Sequence, residues 1–246
     1  MKRSLVGYLI ISLKGMAMGA ADVVPGVSGG TIAFISGIYE ELIESLNNIN
    51  LSIFTQLRSK GVKHTWETIN GSFLLALMCG IFISVFSLVR VVEWLLEQHP
   101  ILLWAFFFGL VAASIIYIGK QIKINLWNLE GIKMFLAITI GGIVAYIITT
   151  INPVASSNSN LFLFFAGAFA ICAMILPGIS GAFILVIIGA YGPVLEAISN
   201  RDLKTILIIG AGAIVGLLSF SKLLKWLFKY YNQLTLAVLT GFMIGS

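Results

Sequence analysis

Two short stretches hold residues able to do chemistry in a chain otherwise dominated by apolar side chains: ADVVPGVSGGT at 21–31 and LPGISGA at 176–182. Each joins Pro-Gly, which stops a helix, to hydroxyls and to further glycines that let backbone approach a ligand closely. Pro25, Gly26, Ser28, Gly29, Gly30 and Thr31 form one such turn; Pro177, Gly178, Ser180 and Gly181 form the other. A helix starting near Ser28 presents N–H groups with no partner in its own helix, at the positive end of its dipole. With the hydroxyls of Ser28, Thr31 and Ser180 these make a cradle suited to an anion. A helix kink, or a packed tip with no ligand, is the plainer reading of the same residues. Asp22 has no counterpart in the second stretch, where Met174 stands. It could carry a proton or a coupling cation, or cap the neighbouring helix.

Other ionisable groups are few. Glu44 and Glu196 each lie 19 residues after a motif proline, and Glu40 lies one helical turn before Glu44. They are candidates for gating or proton relay, with exposure to interfacial water as the alternative. Lys14 and Arg90 could pair with an acid or bind phosphate, or extend their charges to the lipid headgroups. His64 and His99 are far apart, and Cys79 and Cys172 sit in apolar segments, so no metal site is expected. No nucleophile–base–acid set and no G-x-x-x-x-G-K-[ST] loop is present, which argues against an enzyme and against an ATP-driven pump. No cofactor is expected.

The elements that must position these residues follow from composition. Of 246 residues 59% are hydrophobic and 10% charged, against about 25% charged in soluble domains. The chain reads as an all-α protein with several membrane spans. Its net charge of +5 fits loops beside anionic lipid. Nucleic acid is excluded as a partner, since no basic tract is interleaved with aromatics. The N-terminus resembles a cleaved leader, but Lys14 interrupts its apolar run and the residues that follow recur later in the chain.

That recurrence organises the molecule. At a shift of 152, Pro25, Gly26, Ser28, Gly29, Ile32, Gly37, Tyr39, Glu44 and Asn48 fall on Pro177, Gly178, Ser180, Gly181, Ile184, Gly189, Tyr191, Glu196 and Asn200. Two halves are expected, 1–152 and 153–246. Full spans need about 20 residues; the candidates are 72–89, 101–119, 132–151, 204–221 and 233–246. Segments 5–46 and 161–198 are twice that length and cut by Pro-Gly, which predicts re-entrant hairpins, with two full spans in each as the alternative. Lys2, Arg3, Arg58, Lys60, Lys63, Lys120, Lys123 and Lys133 on one side, with Lys222, Lys225 and Lys229, orient the chain with its N-terminus inside. The first half then starts inside and the second outside, an inverted-topology repeat. By symmetry a further span is expected after residue 246.

The stretches DVVPGVSGGT and GIYEELIESL, the second copy LPGISGAFILVIIGAY, and residues 95–116 resemble the bacterial polyprenyl-phosphate transporter family. The resemblance covers most of the chain. It implies a membrane transporter that returns undecaprenyl phosphate, the lipid carrier for cell-wall polymers, from the outer to the cytoplasmic leaflet of the bacterial cell membrane. It also implies that the paired PGxSG motif residues contact the phosphate head. A secondary transporter of a small soluble anion on the same scaffold is the alternative. An intramembrane phosphatase acting on the same lipid is a third. Oligomeric state is not legible.

Overall fold

The computed structural model describes residues 3–23, 27–50, 52–122, 128–153, 157 and 159–246, with the backbone alone for Val23, Phe54, Val89, Arg90 and Glu93. Among these residues every regular element is a helix: α1 Leu5–Val23, α2 Gly29–Ile35, α3 Tyr39–Asn48, α4 Ser52–Thr68, α5 Gly71–Gln98, α6 Pro100–Gly119, α7 Leu129–Thr150, α8 Asn160–Ile175, α9 Gly181–Ile187, α10 Tyr191–Ser199 and α11 Leu203–Gly245. Five of them (α1, α5, α6, α7 and α11) are long and apolar enough to cross a membrane. Their outer faces carry side chains such as Phe86, Ile101 and Phe108, each more than three-quarters exposed, as lipid-facing surface requires.

Both motif segments fold alike. α1 ends at Val23 and α8 at Ile175, each just before its motif. Ser28 and Ser180 are the N-caps of α2 and α9, and these seven-residue helices again lie 152 residues apart. Gly37 and Gly189 then adopt φ of +73°, a backbone that only glycine takes without strain, and α3 and α10 begin two residues later. The bend between α9 and α10 is 110°. The arm before each Pro-Gly is thus one helix, while the arm after it is broken a second time at a glycine. That second break is absent from the single-turn hairpins expected.

The likeness continues at a different shift. α5 runs for 28 residues and stops at His99, with φ −139° and ψ 50°. α11 runs from Leu203 to a break at Tyr231, with φ −135° and ψ 41°. Trp94 meets His99 edge to face at 5.3 Å, and Trp226 meets Tyr231 in the same way at 5.4 Å. On this register Gly80 matches Gly212, Ser87 matches Ser219 and Gly109 matches Gly241. The shift falls from 152 to 132 because α4 and its flanks have no counterpart between α10 and α11. α4 itself, kinked at Gly61, carries Arg58, Lys60 and Lys63, the charges that the sequence places on the inner side.

Glycines set how closely the helices approach. α1 lies against α5 so tightly that a Cβ on Gly80 would overlap the Ser12 carbonyl oxygen, and one on Gly15 the Leu77 carbonyl oxygen. α8 meets the first part of α11 likewise, Gly212 on the Phe164 carbonyl and Gly216 on that of Ala168. The second part of α11 meets α7 through Gly241 on the Ile138 carbonyl. Gly15 and Gly19 on α1, and Gly212 and Gly216 on α11, each pair four residues apart, therefore serve packing.

Asp202 starts α11. Its carboxylate accepts from the backbone N–H groups of Lys204 at 3.1 Å and Thr205 at 3.3 Å, and from the Thr205 hydroxyl at 2.6 Å. These bonds, led by that of the Thr205 hydroxyl, hold its carboxyl below the ordinary aspartate value of 3.8. A depressed value means that the stabilisation is present above pH 3.8 and lost as pH falls through the folded-state value. Asp202→Ala is expected to lower the thermal midpoint modestly at pH 7, with the gap to wild type closing in strong acid. A gap independent of pH would assign the effect to something other than the carboxylate.

Candidate functional site

The two motifs dock on each other at the centre of the molecule. Thr31 Oγ1 accepts from the Gly178 N–H at 2.9 Å. Ser28 Oγ lies 3.4 Å from the Met174 carbonyl oxygen and 3.3 Å from that of Leu176, and shares its proton between them. Ser28 and Thr31 are almost wholly buried. Gly30 makes the approach possible, since a Cβ there would sit 2.6 Å from the Ile175 carbonyl oxygen and 3.0 Å from that of Met174. Gly178 closes its turn with φ of +85°.

The first motif uses its own donors internally. Asp22 Oδ1 accepts from the Gly29 N–H at 2.7 Å, and Ser28 Oγ accepts from the Gly30 N–H at 3.1 Å. The Thr31 N–H reaches the Ser28 carbonyl at 2.9 Å. All three leading N–H groups of α2 are therefore satisfied, and the cradle expected near Ser28 is filled. Lys14 completes the pattern from the other end, donating to the Ser36 carbonyl at 2.6 Å. Asp22 and Lys14 stand eight residues apart on α1, about 12 Å along its axis. They bracket the seven-residue α2, with the acid at its positive end and the base at its negative end.

Replacing Asp22 tests this cap. Asp22→Asn, which keeps a side-chain oxygen acceptor, is expected to stay close to wild-type stability. Asp22→Leu is expected to lose about 1–2 kcal/mol, the usual worth of a cap. Equal losses in chemical denaturation of the two variants would contradict the cap.

The second motif is built differently. Ser180 makes no side-chain capping bond to α9. It lines a cavity of about 260 Å³ with Gly178, Ile179, Phe183, Ala145, Thr149 and, among others, Ser246. Among the described residues, the Gly181, Ala182 and Phe183 N–H groups have no counterpart of the Asp22 and Ser28 bonds. The polar surface expected from both motifs is thus concentrated on one of them. Thr149, on α7, escaped the sequence reading because an isolated threonine in an apolar span carries no signal.

The remaining candidates lie apart. Glu44 is largely exposed, 3.9 Å from Lys225. Glu196 is exposed and lines a separate cavity of about 220 Å³ with Asn200, Asp202 and Thr205. Pro25 and Gly26 fall outside the described residues, as does the side chain of Arg90. Pro177 is buried in the turn, and Gly181 packs on the Ala170 carbonyl, where a Cβ would come within 2.6 Å. Among the described residues no three His, Cys, Asp or Glu side chains form a group able to hold a metal. Near the N-terminus, Arg3 forms a bidentate pair with Glu41 at 2.7 Å, and Asn70 also donates to Glu41 at 2.8 Å. Sequence reading missed this tie between α1, α3 and α5.

Comparison with known proteins bears on this arrangement. The family described as undecaprenyl phosphate translocase-like matches residues 18–246. A Vibrio cholerae serotype O1 protein named polyprenyl-phosphate transporter is 47% identical over 241 residues, covering 98% of this chain and 77% of the relative. A Staphylococcus aureus protein of the same name is 33% identical over 250 residues, covering 95% of this chain and 83% of the relative. No solved structure matches.

Proposed function

This chain belongs to the undecaprenyl phosphate translocase-like family, and from that premise we propose that it carries polyprenyl phosphate, undecaprenyl phosphate in particular, across a bacterial cytoplasmic membrane. The observation that carries the reading is the docked pair of broken turns with a cavity at one of them that the Ser180 hydroxyl and the turn backbone line. Broken helices meeting inside a membrane protein are where transporters place their substrates. A phosphate monoester needs several donors in a site shielded from lipid, whereas its polyprenyl tail needs none. Ser180 and the backbone of the second turn supply donors around the cavity, with the Thr149 hydroxyl beside them now donating to the Tyr146 carbonyl at 2.8 Å, and the apolar outer faces leave the tail in the bilayer.

The docked state also suggests how the head moves. The Gly178 N–H, bonded to Thr31 here, is the natural first donor for a phosphate that reaches the cavity. A head that takes it loosens the bond between the motifs, and parting of the two turns then passes the head towards the other leaflet. The sided lysines and arginines support two halves inserted in opposite senses, with the N-terminus cytoplasmic. Net movement from the outer to the inner leaflet would return the carrier for envelope synthesis. Protonation of the phosphate or of a nearby carboxylate would couple the step to the proton gradient. The relatives are named as transporters, and the reading is one of transport without catalysis.

The test is reconstitution into liposomes bearing polyprenyl phosphate, with an impermeant phosphate-binding probe outside. Protein-dependent loss of the accessible headgroup is expected. Uptake of inorganic phosphate into the lumen, with no movement of the lipid head, would replace this reading with soluble-anion transport.

A further inference from the structure

The break between α2 and α3 borders a further polar cavity, of about 410 Å³, lined by none of the motif residues. Tyr39 and Glu40 line it from α3, Phe34 and Gly37 from the end of α2, Tyr117 and Gln121 from the end of α6, and Asn232 from the second part of α11. Tyr39 is 2% exposed, and its hydroxyl is a buried polar atom with no hydrogen-bond partner among the described residues. Its ring is fixed edge to face between Phe34 at 5.2 Å and Phe228 at 5.8 Å. A buried hydroxyl left without a partner is costly, so a ligand or ordered solvent at this cavity is called for.

The internal repeat shows that the fold does not require the polar groups. In the other half Gly189 and Tyr191 reproduce Gly37 and Tyr39, but Gly192 stands at the position of Glu40. On the register that aligns His99 with Tyr231, Pro100 stands at the position of Asn232. The same turn is thus built once with a carboxylate and a carboxamide and once with neither. The polar set answers to something other than folding.

The geometry points to a site for a small hard monovalent cation, held by oxygens of Glu40, Tyr39, Asn232 and Gln121. Among the described residues lining the cavity, Glu40 is the one that is formally charged, and it is negative. Lys14 is engaged with Ser36, and Lys225 lies beside Glu44 instead. Oxygen donors select hard cations, and a single carboxylate balances one positive charge. Ends of broken helices serve coupling cations in this way. Asn232 Nδ2 now lies 3.4 Å from Glu40 Oε1; turning that amide over presents its oxygen to a bound ion.

The site is read from the protein alone, so its test does not depend on which substrate is carried. Purified chain is heated in sodium, potassium or choline chloride at one ionic strength. Sodium, or sodium and potassium, is expected to raise the thermal midpoint saturably by about 5 °C over choline; the salt that acts identifies the ion. Glu40→Gln should abolish the shift, while Glu97→Gln, a distant exposed carboxylate, should keep it. Asn232→Leu, which leaves the charge in place, should weaken apparent affinity about tenfold and serves if Glu40→Gln does not fold. Equilibrium dialysis with radioactive sodium should show saturable binding in parallel. Equal midpoints in all three salts, or a shift that survives Glu40→Gln, would overturn the site.

Discussion

Gly30→Ala is expected to abolish transport and to lower stability by about 1–3 kcal/mol, the usual cost of overpacking, or more. The added methyl would lie 2.6 Å from the Ile175 carbonyl oxygen and 3.0 Å from that of Met174. Both are backbone atoms in the last turn of α8, so no rotamer change can make room. The motifs must separate, and the Thr31–Gly178 and Ser28 contacts go with them. Gly109→Ala is the matched control, because among the described residues nothing lies within 4 Å of a Cβ there. It should transport at the wild-type rate and unfold no sooner. Flux assays and thermal unfolding on the three proteins decide the matter, and normal flux in Gly30→Ala would remove close docking from the account.

Thr31→Val isolates the hydrogen bond from the packing. Valine fills nearly the same space but offers no acceptor to the Gly178 N–H. A buried N–H left without a partner costs about 1–3 kcal/mol, a factor of roughly ten in equilibrium for each 1.4 kcal/mol. The expected outcome is a lower denaturation midpoint with unchanged denaturant dependence, and restoration in Thr31→Ser, which returns the hydroxyl. A Thr31→Ser variant as weak as Thr31→Val would mean that the lost methyl packing matters more than the bond.

Much of this arrangement was legible in the sequence, for definite reasons. Membrane class followed from composition alone. The turns followed from Pro-Gly and from serines placed to cap helices, and the recurrence at 152 located both copies. The second register was hidden because α4 interrupts it and because its marks are sparse: Gly80 and Gly212, Trp94 and Trp226, then a helix break at residues as unlike as His99 and Tyr231. The partners of Ser28 and Thr31 were illegible for another reason. Residues nearly 150 positions apart meet only after the helices pack, and periodicity says nothing about which turn faces which. Asp22 shows the same limit, since a carboxylate before Pro-Gly suits a cap and a proton carrier equally until Gly29 is seen to bond it.

That asymmetry changes what the motif serines do. Ser28 ties the two turns together, while Ser180 faces the cavity. The two hydroxyls, equivalent in sequence, therefore carry different expectations. Substitution of Ser28 should act through stability, whereas substitution of Ser180 should act through substrate.

The central claim is that the phosphate head is held at the second motif. It is tested most directly by comparing wild type with Ser180→Leu in liposomes bearing polyprenyl phosphate, following the accessible headgroup with an impermeant probe. The account predicts fast protein-dependent loss in wild type and at least a tenfold slower loss in Ser180→Leu, with equal insertion and equal thermal midpoints. Wild-type flux through a properly inserted Ser180→Leu protein would contradict it and place the head elsewhere.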